Sequence, residues 1–113
     1  MFFKDYQVLA LEALWSRGES NSREVWSYVN EKMEGSISRA SVINFLNEMV
    51  DEGLLNYTTS TGKGGVRRIY SHRFDENAFA QELVTRTLSK LVESFPDETR
   101  IVITDLRSSL SPI

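Results

Sequence analysis

The stretch SISRASVINFLNEMVDEGLLNYTTSTGKGGVRRIYSHR, residues 36–73, changes its hydrophobic period once, and that change decides the fold. Before Gly53 the apolar residues Val42, Phe45, Leu46 and Met49 recur at helical spacing. Ser38 is a natural N-cap for them, with Ile37 and Val42 placed to form a hydrophobic staple across it. Gly53 supplies a C-terminal stop, and Leu54 beyond it can pack back on the last turn. After Gly53 the period is two. Leu55, Tyr57 and Thr59 alternate with Asn56, Thr58 and Ser60, and Val66, Arg68 and Tyr70 with Arg67, Ile69 and Ser71. The segment Thr61-Gly62-Lys63-Gly64-Gly65 lies between them as a turn. The stretch therefore predicts a helix followed by a β-hairpin with a mobile tip.

Two further helices precede it. Tyr6, Leu9, Ala10, Ala13 and Leu14 form one helical stripe, ended at Gly18. Asn21-Ser22 offers the next N-cap, with Glu24 in the first turn near the positive end of the helix dipole. Val25, Val29 and Met33, joined by Trp26, make the second stripe, and Glu34-Gly35 ends it. Trp15 and Trp26 lie on or beside apolar stripes and read as core aromatics. Downstream, Asp75 caps a fourth helix running to about Phe95. Its residues Val84, Leu88, Leu91 and Phe95 form a coiled-coil-like seam, and Phe79, Leu83 and Val92 a second ridge. A helix apolar on two sides needs two partners, so the seam is expected to serve dimerisation as well as the internal core. Pro96 interrupts the helix. The tail after it fits a strand through Ile101, Val102 and Ile103, or a helix through Ile103, Leu106 and Leu110.

Composition narrows the function. The chain has 113 residues, 13 Lys and Arg against 16 Asp and Glu, one histidine and no cysteine. One domain's length suffices for a core without a metal or disulfide, and cysteine frameworks, thiolate metal sites and cysteine nucleophiles are excluded. No apolar run approaches the ~20 residues of a membrane span, and Met1–Gln7 lacks the pattern of a secretion signal, so a cytoplasmic protein is expected. His72 alone makes neither a zinc site nor a catalytic triad. Gly62-Lys63-Gly64 is no phosphate-binding P-loop, which would need glycine at Tyr57 and Ser or Thr at Gly64. The expectation is a protein that is not an enzyme and carries no cofactor or metal.

Positive charge is nevertheless concentrated. Lys63, Arg67, Arg68 and Arg73 carry four charges with no acid between Thr61 and Arg73. Three helices and a hairpin in this order are those of a winged helix-turn-helix, in which the third helix enters the DNA major groove and the hairpin, or wing, reaches the flanking backbone. Phosphate contacts require local cations and not a basic protein. On this reading Arg39, Ala40, Ile43, Asn44 and Asn47 face outward on the third helix to read bases. Arginine matches guanine, asparagine matches adenine, and Ala40 and Ile43 suit a thymine methyl. Ser38, Ser41, Lys63, Arg67 and Arg68 hold phosphates. Glu48, Asp51 and Glu52 restrict the contact to the N-terminal half of the helix.

The segments that carry this order also resemble a known family. Leu14, Trp15 and Gly18 close the first helix, Arg23-Glu24-Val25-Trp26 build the second, Gly53-Leu54 close the third, and Tyr70-Ser71 end the wing. Over residues 5–73, and more loosely over the fourth helix, this resembles the penicillinase and methicillin-resistance repressor family. The resemblance implies a dimeric repressor that pairs through C-terminal helices on an inverted-repeat operator. The chain departs from that pattern in the acidic end of its third helix, in a longer-looking wing tip and in a short tail without an evident cleavage segment. Without cysteine it cannot follow the copper-responsive branch.

The expected architecture is mainly α with a small β-hairpin. A winged-helix DNA-binding domain spans residues 1–74, and a C-terminal helical dimerisation segment spans residues 75–113. The expected partners are double-stranded DNA and a second copy of the chain, with any small-molecule effector unknown. The alternative is a winged-helix adaptor that binds protein and not DNA, since the fold alone does not settle function. A ligand-sensing regulator is a third possibility.

Overall fold

The structure, a computed structural model, describes residues 2–110. The elements run α1 (Asp5–Arg17), β1 (Ser20–Asn21), α2 (Ser22–Lys32), α3 (Arg39–Asp51), β2 (Leu55–Gly62), β3 (Gly65–His72), α4 (Glu76–Ser94) and α5 (Pro96–Leu110). The chain divides into two units, one running to Glu76 and the other starting at Asn77.

In the first unit the helix ends follow local chemistry. Gly18 closes α1 at a φ of 81°. Asn21 caps α2, its side chain accepting the Glu24 N–H at 2.9 Å while the Glu24 carboxylate accepts the Asn21 N–H at 3.0 Å. This reciprocal pair satisfies two N–H groups that the first helical turn leaves without partners. Glu34 and Gly35 then reverse the chain with φ of 56° and 79°. At the far end of α3 the Leu54 N–H reaches the Met49 carbonyl and the Gly53 N–H reaches Val50, both at 2.9 Å. That is the Schellman pattern, and Gly53, at a φ of 72°, occupies the left-handed position it requires.

The core of this unit is assembled from all three helices and the sheet. Ala10, Leu11, Ala13 and Leu14 of α1, Val25 and Val29 of α2, and Val42, Phe45, Leu46 and Met49 of α3 are buried with Leu54, Leu55 and Tyr70. Phe45 also meets Phe3 and Tyr6 edge-on, with ring centroids 6.0 and 6.4 Å apart. The α1 stripe is rotated from the sequence expectation: Leu11 is buried, whereas Tyr6 and Leu9 are only half-buried.

The sheet is three-stranded and antiparallel in the order β1-β3-β2. The hairpin register runs from Leu55 opposite His72 to Gly62 opposite Gly65. Gly62 and Gly65 thus belong to the ladder, and the connection shortens from the expected five-residue turn to Lys63-Gly64. Gly65, at a φ of 97°, makes this tight reversal possible. Strand β1 pairs Ser20 with Tyr70 and Asn21 with Ile69. It has no counterpart in the sequence reading, because two residues are too few to show a period.

The second unit consists of α4 and α5. The tail after Pro96 is helical, which decides between the two readings it allowed. Proline suits the first turn of α5, where its missing N–H leaves no bond unmade. The Thr99 hydroxyl donates to the Leu91 carbonyl at 3.0 Å, tying the start of α5 to the last turn of α4.

Candidate nucleic-acid interface

α3 turns its apolar residues inward and leaves Arg39, Ala40 and Asn44 exposed, with Ile43 and Asn47 half-buried. Ala40, Asn44, Asn47 and Asp51 follow one another at spacings of four, three and four, so they form a single line along the outer face. Asp51 ends that line with a negative charge, and Glu48 and Glu52 lie exposed near it. The half of α3 that can approach a polyanion is its N-terminal half.

That half is held from two sides. Ser38 caps it, its Oγ accepting the Ser41 N–H at 3.1 Å, and the two hydroxyls are 2.8 Å apart. Trp26 of α2 donates its indole N–H to the Ile37 carbonyl at 2.9 Å. The Arg39 guanidinium lies over the same indole, 5.9 Å from the ring centroid. Trp26 therefore fixes the entry to α3 and gives Arg39 an aromatic face to lean on.

The wing charges separate by strand alternation. Lys63 is at the exposed tip. Arg67 and Arg68 are neighbours in β3 and so point to opposite faces of the hairpin. Arg67 is exposed, whereas Arg68 is half-buried on the face shared with Tyr57 and Tyr70. Its guanidinium lies 4.1 Å from the Tyr57 ring centroid, and its Nη1 donates to Asn47 Oδ1 at 3.1 Å. The Tyr70 hydroxyl donates to the same oxygen at 2.6 Å. Burial raises the Tyr70 phenol above its ordinary range, partly offset by the Arg68 charge and hydrogen bond, so it remains a neutral donor near pH 7. Of the ten residues expected at the interface, Asn47 and Arg68 are thus brought together with each other. Arg39, Ala40 and Asn44 on α3, and Lys63 and Arg67 on the wing, remain exposed. The contribution of Tyr57 is not visible in the sequence, where it is one more alternating strand residue.

Below the wing, Trp15 stacks on His72 with ring centroids 3.9 Å apart and 3° between planes. Trp15 donates to the Phe74 carbonyl at 3.3 Å. The Leu11 carbonyl, 2.9 Å from His72 Nε2, can only accept, so Nε2 carries the proton. Burial lowers the His72 pKa from its ordinary 6.5, while the Leu11 carbonyl and the Glu76 charge act in the opposite direction.

The family model described as penicillinase repressor matches residues 5–109. The chain belongs to the penicillinase repressor family. It is a DNA-binding transcriptional repressor, and its winged-helix fold is shared with solved regulators. The repressor is similar to a PadR family transcription regulator from hypervirulent Clostridium difficile, at 19% identity and a TM-score of 0.55, over 81% of this chain and 98% of that one. It is also similar to BpsR of Bordetella bronchiseptica, whose DNA binding is regulated by 6-hydroxynicotinic acid, at 18% identity and a TM-score of 0.51, over 97% and 80%. A MarR family regulator from Neisseria meningitidis aligns at 16% identity and a TM-score of 0.51, over 94% and 72%. At these identities the three structures speak for the repressor's fold alone. No curated protein matches the chain. Among its described residues no helix is long and apolar enough to cross a membrane.

Proposed function

We propose that the repressor binds as a homodimer to an inverted-repeat operator in the cytoplasm, each copy placing the N-terminal half of α3 in a major groove. The observation that carries this reading is the exposed set Arg39, Ala40 and Asn44 at the N-terminal half of α3, in the same unit as the exposed cations Lys63 and Arg67 and meeting acid only beyond Asn47. Arg39 reads a guanine, Asn44 reads an adenine, and Ala40 and Ile43 meet thymine methyls. Ser38 and Ser41 at the helix start, with Lys63 and Arg67 on the wing, hold phosphates. Arg68 adds a further phosphate contact from its braced position. The role is one of binding, without catalysis.

The second unit supports the dimer. Val84, Leu88, Leu91 and Phe95 are 56%, 37%, 42% and 57% exposed, which is unusual for a row of large apolar side chains. On α5, Val102, Ile103 and Leu106 join Leu88, Leu91 and Phe95 around a groove of about 310 Å³. A second copy of the same helices would cover this apolar surface symmetrically.

Selection from a random duplex library by the full chain tests the reading. Enrichment of an inverted repeat with half-site centres about one helical turn, or a multiple, apart is the expected result. No enriched sequence, with duplex affinity no better than about 10⁻⁴ M at low salt, would overturn it.

A further inference from the structure

Asn47 lies on the outward line of α3, where an asparagine would be taken for a reader of adenine. That contact is bidentate: the amide oxygen accepts from the base while the amide nitrogen donates to it. In this structure the oxygen already has two donors, Arg68 Nη1 at 3.1 Å and the Tyr70 hydroxyl at 2.6 Å. An amide oxygen has two lone pairs, so its capacity is filled. Both donors come from β3, so one α3 side chain fastens the recognition helix to the wing. Arg68 is held from a second direction by the Tyr57 ring, 4.1 Å away, and Tyr57 pairs directly with Tyr70 across the hairpin. A long, rotamer-rich arginine is thereby confined before any ligand arrives, which removes part of the ordering cost of binding.

We propose that Asn47 is a positioning residue that, through Arg68 and Tyr70, sets the orientation of the wing arginine toward a DNA phosphate and does not itself read a base. This rests on the DNA-binding arrangement above, but its central element, the bridge between α3 and β3, exists in the free protein. It also explains how two adjacent arginines serve one wing. Arg67 is an exposed cation, whereas Arg68 is held by Asn47 and the Tyr57 ring with its remaining N–H groups ready.

The test combines two measurements on the full chain. The first is the NMR signal of the Arg68 guanidinium without DNA. Slow rotation, with resolved Nη resonances, is expected in the wild type and averaging in Asn47→Ala. Asn47→Asp, which keeps the acceptor and lacks the amide donor, should restore the resolved signals. An Arg68 guanidinium as mobile in the wild type as in Asn47→Ala overturns the bridge, whatever DNA does. The second is duplex binding by Asn47→Ala, Arg68→Ala and the double variant. Asn47→Ala should weaken operator and non-operator duplexes alike by about tenfold, the size of one charge-assisted hydrogen bond. Base preference should not change at any position, and in the Arg68→Ala background the further loss should be under about twofold. A changed preference at one base pair, or losses that multiply independently, would refute the positioning role. A wild type that selects no duplex would refute the DNA-binding arrangement and the phosphate role with it, and the arginine spectrum would still report separately on the bridge.

Discussion

Trp26 and Ile37 are joined by an indole-to-carbonyl hydrogen bond of 2.9 Å that spans the turn between α2 and α3. The bond ties the second helix to the residue just before the α3 cap, and the Arg39 guanidinium rests over the same ring. One aromatic side chain thus sets both the angle at which α3 leaves the turn and the direction of its first outward cation. Trp26→Phe keeps most of the apolar area and removes the donor. It should lower stability by about 1 kcal/mol, with little change in the denaturant slope. Urea unfolding measures this, and an unchanged midpoint would show that the bond contributes nothing net.

Arg39 and Lys63 should differ in kind. Loss of Arg39 to alanine is expected to cost about 1–3 kcal/mol on the preferred operator and to relax preference at a single base position. Lys63→Ala should weaken every duplex by a similar factor and reduce the slope of log affinity against log salt by about one. Affinities over a salt series, on operator and scrambled duplexes, separate the two. Equal behaviour of both variants would remove the division between base-reading helix and phosphate-holding wing.

The seam on α4 makes a separate prediction. Leu91→Glu places a charge in the exposed apolar row of the second unit. Sedimentation should then report a monomer, and affinity for a two-half-site operator should fall by about a hundredfold or more as the linked second contact is lost. Affinity for an isolated half-site should hold. A dimer that survives the change would exclude this face as the interface.

His72 predicts a dependence on pH. Its folded pKa lies below the ordinary 6.5, chiefly because burial disfavours the imidazolium. Below pH 6.5 the unfolded chain therefore takes up a proton that the folded one resists, so the unfolded state gains. The His72 contribution to stability is present in full above that pH and is lost progressively as pH falls toward the folded pKa. Melting temperatures between pH 8 and 5, with an NMR titration of the His72 ring beside Trp15, check the sign. A folded His72 that titrates above 6.5 would reverse it.

Much of this molecule is legible along the chain because its signals are local. Ser38 starts a helix and Gly18 and Gly53 stop helices through bonds to residues within about one turn, so their roles follow from neighbours in sequence. The same holds for the switch of period after Gly53, and with it the winged-helix order. The shortened tip was obscured because five consecutive turn-forming residues hide which glycines pair. The tail was ambiguous because Ile101, Val102, Ile103 and Leu106 satisfy both periods, and Pro96 decides for a helix only by starting one.

The sequence by itself determined the order of elements, the inward stripe of α3 and the concentration of cations on the wing. These depend on periodicity and on residue type. Tertiary structure alone decided what each polar side chain touches. Arg67 and Arg68 look equivalent in sequence, but a strand sends neighbours to opposite faces, and only the second meets α3. Asn47 is one more outward polar residue of α3 in sequence, and only the fold brings Arg68 of β3, 21 residues away along the chain, to its oxygen. A hydrogen bond requires groups far apart in the chain to sit about 3 Å from each other, to within a few tenths of an ångström, and no pattern of residue types specifies that placement.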